Sequence, residues 1–252
     1  MTKTMLVAHR GGAGLAPENT LAAFERGIAE KADAVEMDVH LSKDGAVIVC
    51  HDPILGRTTD KTGTIADLTL AEIKTFNAAA KFTGGATAAQ QVPTLDEVVK
   101  LVNGRVGMQV EIKLKADGSR YAGIEQKVVD ILRQGNMIEK SVIISFDWPT
   151  LQEIKKIEPK LKTGALASAT TAYRQYPTSA QMAQAVKAVG ADYFGPEKSY
   201  LNAELMAELR KVGVGGGAWT VDDPAEMKKL AALNPDFLTT NRPDLLRGVL
   251  GR

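Results

Sequence analysis

Eight times along the chain a short apolar segment gives way to an amphipathic helical pattern. Strands are predicted over Met5 to Ala8, Ala34 to Leu41, Met108 to Leu114, Val142 to Ser145, Thr163 to Leu166, Asp192 to Phe194, Gly217 to Val221 and Asp236 to Thr240. Pro17-Glu18-Asn19-Thr20 opens the first helix, with Asn19 or Thr20 as cap and Leu21, Phe24 and Ile28 on one face. Later helices are expected at Thr94 to Val102, Tyr121 to Gln134, Pro149 to Ile157, Ala180 to Val189, Asn202 to Lys211, Pro224 to Leu233 and Pro243 to Leu250. This alternation predicts an α/β fold, a (β/α)8 TIM-type barrel. Such a barrel takes about 250 residues, and the 252 residues of the chain are expected to form a single domain. A doubly wound sheet is the competing architecture. It wants fewer units and a glycine-rich phosphate loop, which Gly11-Gly12-Ala13-Gly14 resembles only loosely.

One connection is too long for a barrel loop. Between the second strand and the helix at Thr94 stand a Lys43-Asp44-Gly45 turn, a strand from Ala46 to Cys50 and a helix near Leu70 to Phe76. Long loops in compact domains are usually functional. Residues 53–92, approximately, are therefore expected to form a small cap inserted on the catalytic face.

A barrel builds its site at the C-terminal ends of its strands. The first strand ends in His9-Arg10, the second carries Glu36, Asp38 and His40, and the third carries Glu111 and Lys113. Alternate residues of a strand share a face, so Glu36 and Asp38 point one way, as do Glu111 and Lys113. Carboxylates aimed into a barrel mouth are costly unless paired or holding a metal. Glu36, Asp38 and Glu111 offer oxygen ligands that suit one divalent ion, Mg²⁺ or Ca²⁺. If Asp44-Gly45 is a two-residue hairpin turn, Lys43 faces Ala46 and Asp38 faces His51. Cys50 then points away from that face. Two of the three histidines thus meet at one mouth.

These parts match phosphodiester cleavage. A divalent ion and basic groups stabilise charge on the phosphoryl oxygens. Of His9 and His51, one takes the nucleophile's proton and the other protonates the leaving alkoxide. Arg10 and Lys113 are the phosphate cations at hand. Trp219 and Phe146 stand at strand ends, where pocket walls form. His40 matches no functional place and reads as structural, and Glu18 as a helix-start residue.

Charge narrows the partners. Lys and Arg number 31 against 30 Asp and Glu, a net charge of +1. That balance points to neither nucleic acid nor a membrane surface, so attraction for a small phosphodiester must be local. The single cysteine, Cys50, forms no internal disulfide. No apolar run approaches the ~20 residues of a membrane span, and Met1 to Met5 leads straight into the first strand without a signal-peptide pattern. Stable membrane association is not expected, and the cytoplasm is the default location.

Several motifs in order carry a resemblance. His9-Arg10-Gly11, Pro17-Glu18-Asn19-Thr20, Glu36-Met37-Asp38-Val39, Lys43-Asp44-Gly45 and His51-Asp52 come first. Arg57-Thr58-Thr59, Gly63, Pro93-Thr94-Leu95, Glu111-Ile112-Lys113, Ser145-Phe146, Trp219-Thr220-Val221 and Thr239-Thr240-Asn241-Arg242-Pro243 follow. The set resembles the signature of the glycerophosphodiester phosphodiesterase family over nearly the whole chain. The resemblance implies a capped TIM-type barrel, a divalent metal on Glu36, Asp38 and Glu111, His9 and His51 as acid–base pair, and phosphate contacts from Arg10 and Lys113. It also implies hydrolysis of glycerophosphodiesters to glycerol 3-phosphate and an alcohol. Two competing expectations are the same chemistry on lysophospholipids and a non-catalytic phosphate-binding barrel. The latter predicts a lost histidine or carboxylate, and none is missing. One departure is Phe194-Gly195-Pro196, where many relatives carry a histidine before the proline. The glycine-rich stretch Gly213 to Gly217 predicts either a mobile loop or a close backbone approach.

Overall fold

The computed structural model describes residues 3–168 and 174–252. Its strands, in chain order, are β1 (Met5–Ala8), β2 (Ala34–Leu41), β3 (Val47–Val49), β4 (Ile54–Leu55), β5 (Gly63–Thr64) and β6 (Gly107–Ile112). They continue as β7 (Ser141–Ser145), β8 (Lys162–Ala167), β9 (Tyr193–Pro196), β10 (Gly215–Ala218) and β11 (Phe237–Thr240). β1 is bonded on both sides, to β2 and to the last strand, β11. From β2 the order runs β6, β7, β8, β9, β10 and back to β11, every neighbour parallel. Eight parallel strands close into the expected barrel, with helices between them.

Strand alternation decides what lies inside. Val35, Met37, Val39 and Leu41 of β2 join the large core under the helices. Glu36, Asp38 and His40 face the other way, into the barrel, and all eight residues of β2 are buried. Thr20, not Asn19, caps the first helix by accepting the Ala23 N–H. Helix Leu95–Val102 starts on a capping box between Thr94 and Glu97.

The glycine stretch marks a close approach. A Cβ on Gly217 would lie 2.5 Å from the Phe237 ring, and one on Gly215 would lie 2.6 Å from Tyr193. The two rings meet edge to face, centroids 6.2 Å apart, and pack with Met5, Val7 and Ala34. Large aromatics from β9 and β11 thus fill the space that the β10 glycines leave.

The hairpin register differs from expectation by one residue. β2 and β3 pair Leu41 with Val47 and Val39 with Val49, so Asp38 stands opposite Cys50, not His51. The Cys50 N–H donates to the Asp38 carbonyl at 3.0 Å. The cause is Gly45. It adopts φ 81°, and its N–H donates to the Ser42 carbonyl, making a three-residue loop between Ser42 and Ala46. His51 therefore lies beyond the paired strand. Its position is fixed instead by His40, whose Nε2–H donates to the His51 carbonyl at 3.1 Å.

Between β3 and helix Leu95–Val102, the β4–β5 hairpin and helix Leu70–Ile73 enclose a separate cluster. Ile48, Cys50, Leu55, Ile65, Ile73, Phe76 and Val92 build it, and Cys50 is a free buried thiol. Among the described residues, no helix is long and apolar enough to cross a membrane.

Candidate active site

Register brings the acidic groups together. β2 and β6 pair Glu36 with Gln109 and Asp38 with Glu111. Oxygens of Glu36, Asp38 and Glu111 lie within 4.8 Å of one another, all three residues buried. Burial, reinforced by Asp38 and Glu111, drives the Glu36 carboxyl well above the usual carboxylate range. Burial raises the Glu111 carboxyl too, partly offset by Lys113. Asp38 goes the other way. Burial would raise it, but Lys113, Arg10 and His51 outweigh that and hold it ionised.

Two cations serve the triad. Lys113, just past β6, donates from Nζ to Glu111 Oε1 at 2.7 Å and lies 3.5 Å from Asp38 Oδ1. Arg10 gives its backbone N–H to Glu36 Oε2 at 2.7 Å. Its Nε lies 3.5 Å from Asp38 Oδ2, buried and without a hydrogen-bond partner. Asn19 donates Nδ2–H to Asp38 Oδ2, while its buried Oδ1 has no partner. Three buried carboxylates, two cations and an unsatisfied amide oxygen make an oxygen-rich centre that fits a divalent ion.

Both expected histidines reach this cavity. His9 continues β1 by one residue, and its Nε2 lies 3.9 Å from Glu36 Oε2. Its Nδ1 is 2.7 Å from Asn241 Oδ1, and Asn241 Nδ2 in turn donates to Asp222. Burial, helped by Arg10, lowers the His9 pKa to about 4, so the ring is neutral at pH 7. His51 Nδ1–H donates to Asp52 Oδ1 at 2.7 Å. Burial lowers the His51 pKa as well.

A cavity of about 160 Å³ is lined by His9, Arg10, His51, Glu111, Lys113 and Trp219, among others. Phe146 and Trp219 meet edge to face at its wall, centroids 5.4 Å apart. The Lys113 ammonium lies 6.0 Å over the Phe146 ring. Trp219 Nε1–H donates to the Gly195 carbonyl at 2.7 Å, so the backbone of β9 anchors the indole. His40 takes the structural place expected of it, fully buried between the Tyr121 hydroxyl and the His51 carbonyl.

Several participants escaped sequence reasoning. Glu18 is more than a helix-start residue: it joins Arg10 Nη1 to Arg57, which also grips Asp52 at 2.5 Å. Asp52 was visible beside His51, and Arg57 and Asn241 within quoted motifs, but nothing in their spacing announced these contacts. Asp222 gave no signal at all.

The family model for the glycerophosphoryl diester phosphodiesterase family matches residues 9–245. A glycerophosphodiester phosphodiesterase of Caldanaerobacter subterraneus subsp. tengcongensis is 36% identical over 97% of this chain and 96% of its own length. Another, from Bacillus altitudinis, is 31% identical over 96% of each chain. The crystal structure of glycerophosphodiester phosphodiesterase from Agrobacterium tumefaciens strain C58 superposes with a TM-score of 0.78 at 27% identity. It covers 98% of this chain and 100% of that one. The family match runs from His9 past Asn241 and takes in the cap and every group just described, and the chain belongs to the glycerophosphoryl diester phosphodiesterase family.

Proposed function

We propose that the protein hydrolyses glycerophosphodiesters to sn-glycerol 3-phosphate and an alcohol, with a divalent metal ion and two histidines. One observation carries this reading. His9 and His51 each spend Nδ1 on a partner behind the ring, which turns Nε2 toward a cavity shared with a buried acidic triad and two cations. Two poised imidazoles flanking a phosphate-sized space are what proton transfer at a phosphodiester needs.

The histidines are not equivalent. The partner of His9 is a neutral amide oxygen, and the lowered pKa keeps its Nε2 lone pair free. His9 Nε2 accepts the proton as the nucleophile's oxygen attacks phosphorus. The partner of His51 is a carboxylate, which opposes the lowering that burial imposes and lets the ring take a second proton at Nε2. His51 Nε2–H gives that proton to the alkoxide as its bond to phosphorus breaks. Arg10 and Lys113 contact the phosphoryl oxygens, and Trp219 and Phe146 wall the pocket. Glu36, Asp38 and Glu111 would hold the ion, Mg²⁺ or Ca²⁺. When bound, it supplies positive charge beside the phosphoryl group. Arg57, which reaches Glu18 and Asp52, supports reading residues 53–92 as a cap within one domain of 1–252.

A groove of about 380 Å³ adjoins the cavity and shares Phe146 and Leu166 with it. Trp148, Tyr176 and Met182 line it, which favours a second reading in which a lysophospholipid's acyl chain lies there. Purified protein with Mg²⁺ or Ca²⁺, given glycerophosphocholine and lysophosphatidylcholine side by side, tests both. Release of glycerol 3-phosphate from the deacylated diester is expected. No turnover of any glycerophosphodiester would remove the reading.

A further inference from the structure

A chain of hydrogen bonds runs behind His9 from a residue with no assigned part. Asp222 lies beyond β10, and Asn241 lies just beyond β11. Asp222 Oδ2 accepts Asn241 Nδ2–H at 2.7 Å. Asp222 Oδ1 accepts the Asn241 backbone N–H at 2.8 Å and the Thr240 hydroxyl at 3.0 Å. A carboxylate has no proton to give, so the Asn241 amide has one orientation: its NH₂ toward Asp222 and its oxygen toward His9. That oxygen lies 2.7 Å from His9 Nδ1. A carbonyl oxygen only accepts, so Nδ1 carries the proton and Nε2 the lone pair. The opposite tautomer would set two lone pairs against each other at that distance.

We infer that Asp222 and Asn241 are positioning residues. Asp222 fixes the Asn241 amide, and the amide fixes His9 as the Nδ1–H tautomer with its Nε2 lone pair toward the phosphodiester. The inference rests on the reading of His9 as proton acceptor given above. Neither residue lines the cavity, so both act through the ring. The same contacts would also tie two strand ends together, so the test must separate orientation from anchoring.

Exchange of the pair does so. In Asp222→Asn the amide loses its carboxylate reference, and in Asn241→Asp two carboxylates oppose each other. In the double variant Asp222→Asn/Asn241→Asp, one carboxylate and one amide face each other again, and an acceptor oxygen still meets His9. ¹⁵N-histidine NMR reads the tautomer in the intact protein, and steady-state kinetics on glycerophosphocholine reads its use. Wild type should show pyrrole-type Nδ1 and pyridine-type Nε2 for His9. Asp222→Asn should mix the tautomers and lower kcat about 10- to 100-fold, with KM changed less than about twofold, while Asn241→Asp keeps an acceptor at Nδ1 and with it the tautomer, but lowers kcat by setting two carboxylates against each other. The double variant should regain the wild-type signature and most of kcat. Asn241→Leu, with no acceptor, should lose both. A His9 that keeps its Nδ1–H signature in Asn241→Leu, or a folded double variant no better than either single one, would overturn the inference. A wild type that turns over no diester while showing the fixed tautomer would count against the proposed reaction and leave the positioning role standing.

Discussion

Asp52 Oδ1 stands 2.7 Å from His51 Nδ1, and the other oxygen of the same carboxylate receives Arg57 Nε at 2.5 Å. The carboxylate orients the ring and stabilises its protonated form, while the arginine holds the carboxylate. Asp52→Asn keeps the shape and removes the charge. It should lower kcat about 10- to 100-fold, with KM nearly unchanged. Steady-state kinetics on glycerophosphocholine checks this; a variant within twofold of wild type would show that His51 needs no anion behind it.

The triad stores repulsion. Glu36 is buried against Asp38 and Glu111, which raise its pKa together with burial. Glu36→Gln replaces the carboxyl whose ionisation this site opposes with a neutral amide and leaves an oxygen for the Arg10 N–H. Without divalent ions, the variant should be more stable than wild type by about 1 kcal/mol, or roughly 2–4 °C in Tm. It should also lose activity and the rise in Tm that Mg²⁺ or Ca²⁺ gives wild type. Thermal melts with chelator and with added ion measure both; a variant less stable than wild type in chelator would refute the repulsion.

Much of this was legible in the chain. The barrel was, because eight apolar strands separated by amphipathic helices bury two faces in only a few ways. Glu36, Asp38 and Glu111 were, because alternation and parallel register are fixed by the backbone. The hairpin was read one residue out, because a left-handed Gly45 serves a three-residue loop as readily as a two-residue one. His51 still reached the mouth, held by the buried His40. Asp222 and Arg57 were not legible. Their partners lie on other elements, 19 residues away for Asn241 and 39 for Glu18, and no periodicity reports such contacts.

Close packing between β10 and β11 gives a third prediction. A Cβ on Gly217 would stand 2.5 Å from the Phe237 ring and 2.5 Å from the Phe237 carbonyl oxygen. Backbone cannot yield as a side-chain tip can, so Gly217→Ala should cost about 1–3 kcal/mol. Denaturant unfolding measures it; an unchanged midpoint would contradict the packing described.

Buried His40 predicts a pH dependence of stability. Burial lowers its pKa to about 4, against an unfolded value of about 6.5. Between those values the unfolded chain binds a proton that the folded chain does not. Stability should therefore be flat with respect to His40 above pH 6.5 and fall as pH drops from 6.5 toward 4, by about 3 kcal/mol in all. Unfolding free energies of wild type and His40→Gln at pH 7.5, 6 and 5 isolate the effect. The variant should lose less stability than wild type on acidification, and parallel curves would contradict it.

Release of glycerol 3-phosphate from glycerophosphocholine is the most direct measure. The protein is stripped of divalent ions, assayed, resupplied with Mg²⁺ or Ca²⁺ and assayed again, beside His9→Ala and His51→Ala. Wild type should turn over only when resupplied, and each variant should fall by about 10²-fold or more. Turnover that withstands chelation and survives both replacements would contradict metal-assisted, two-histidine hydrolysis.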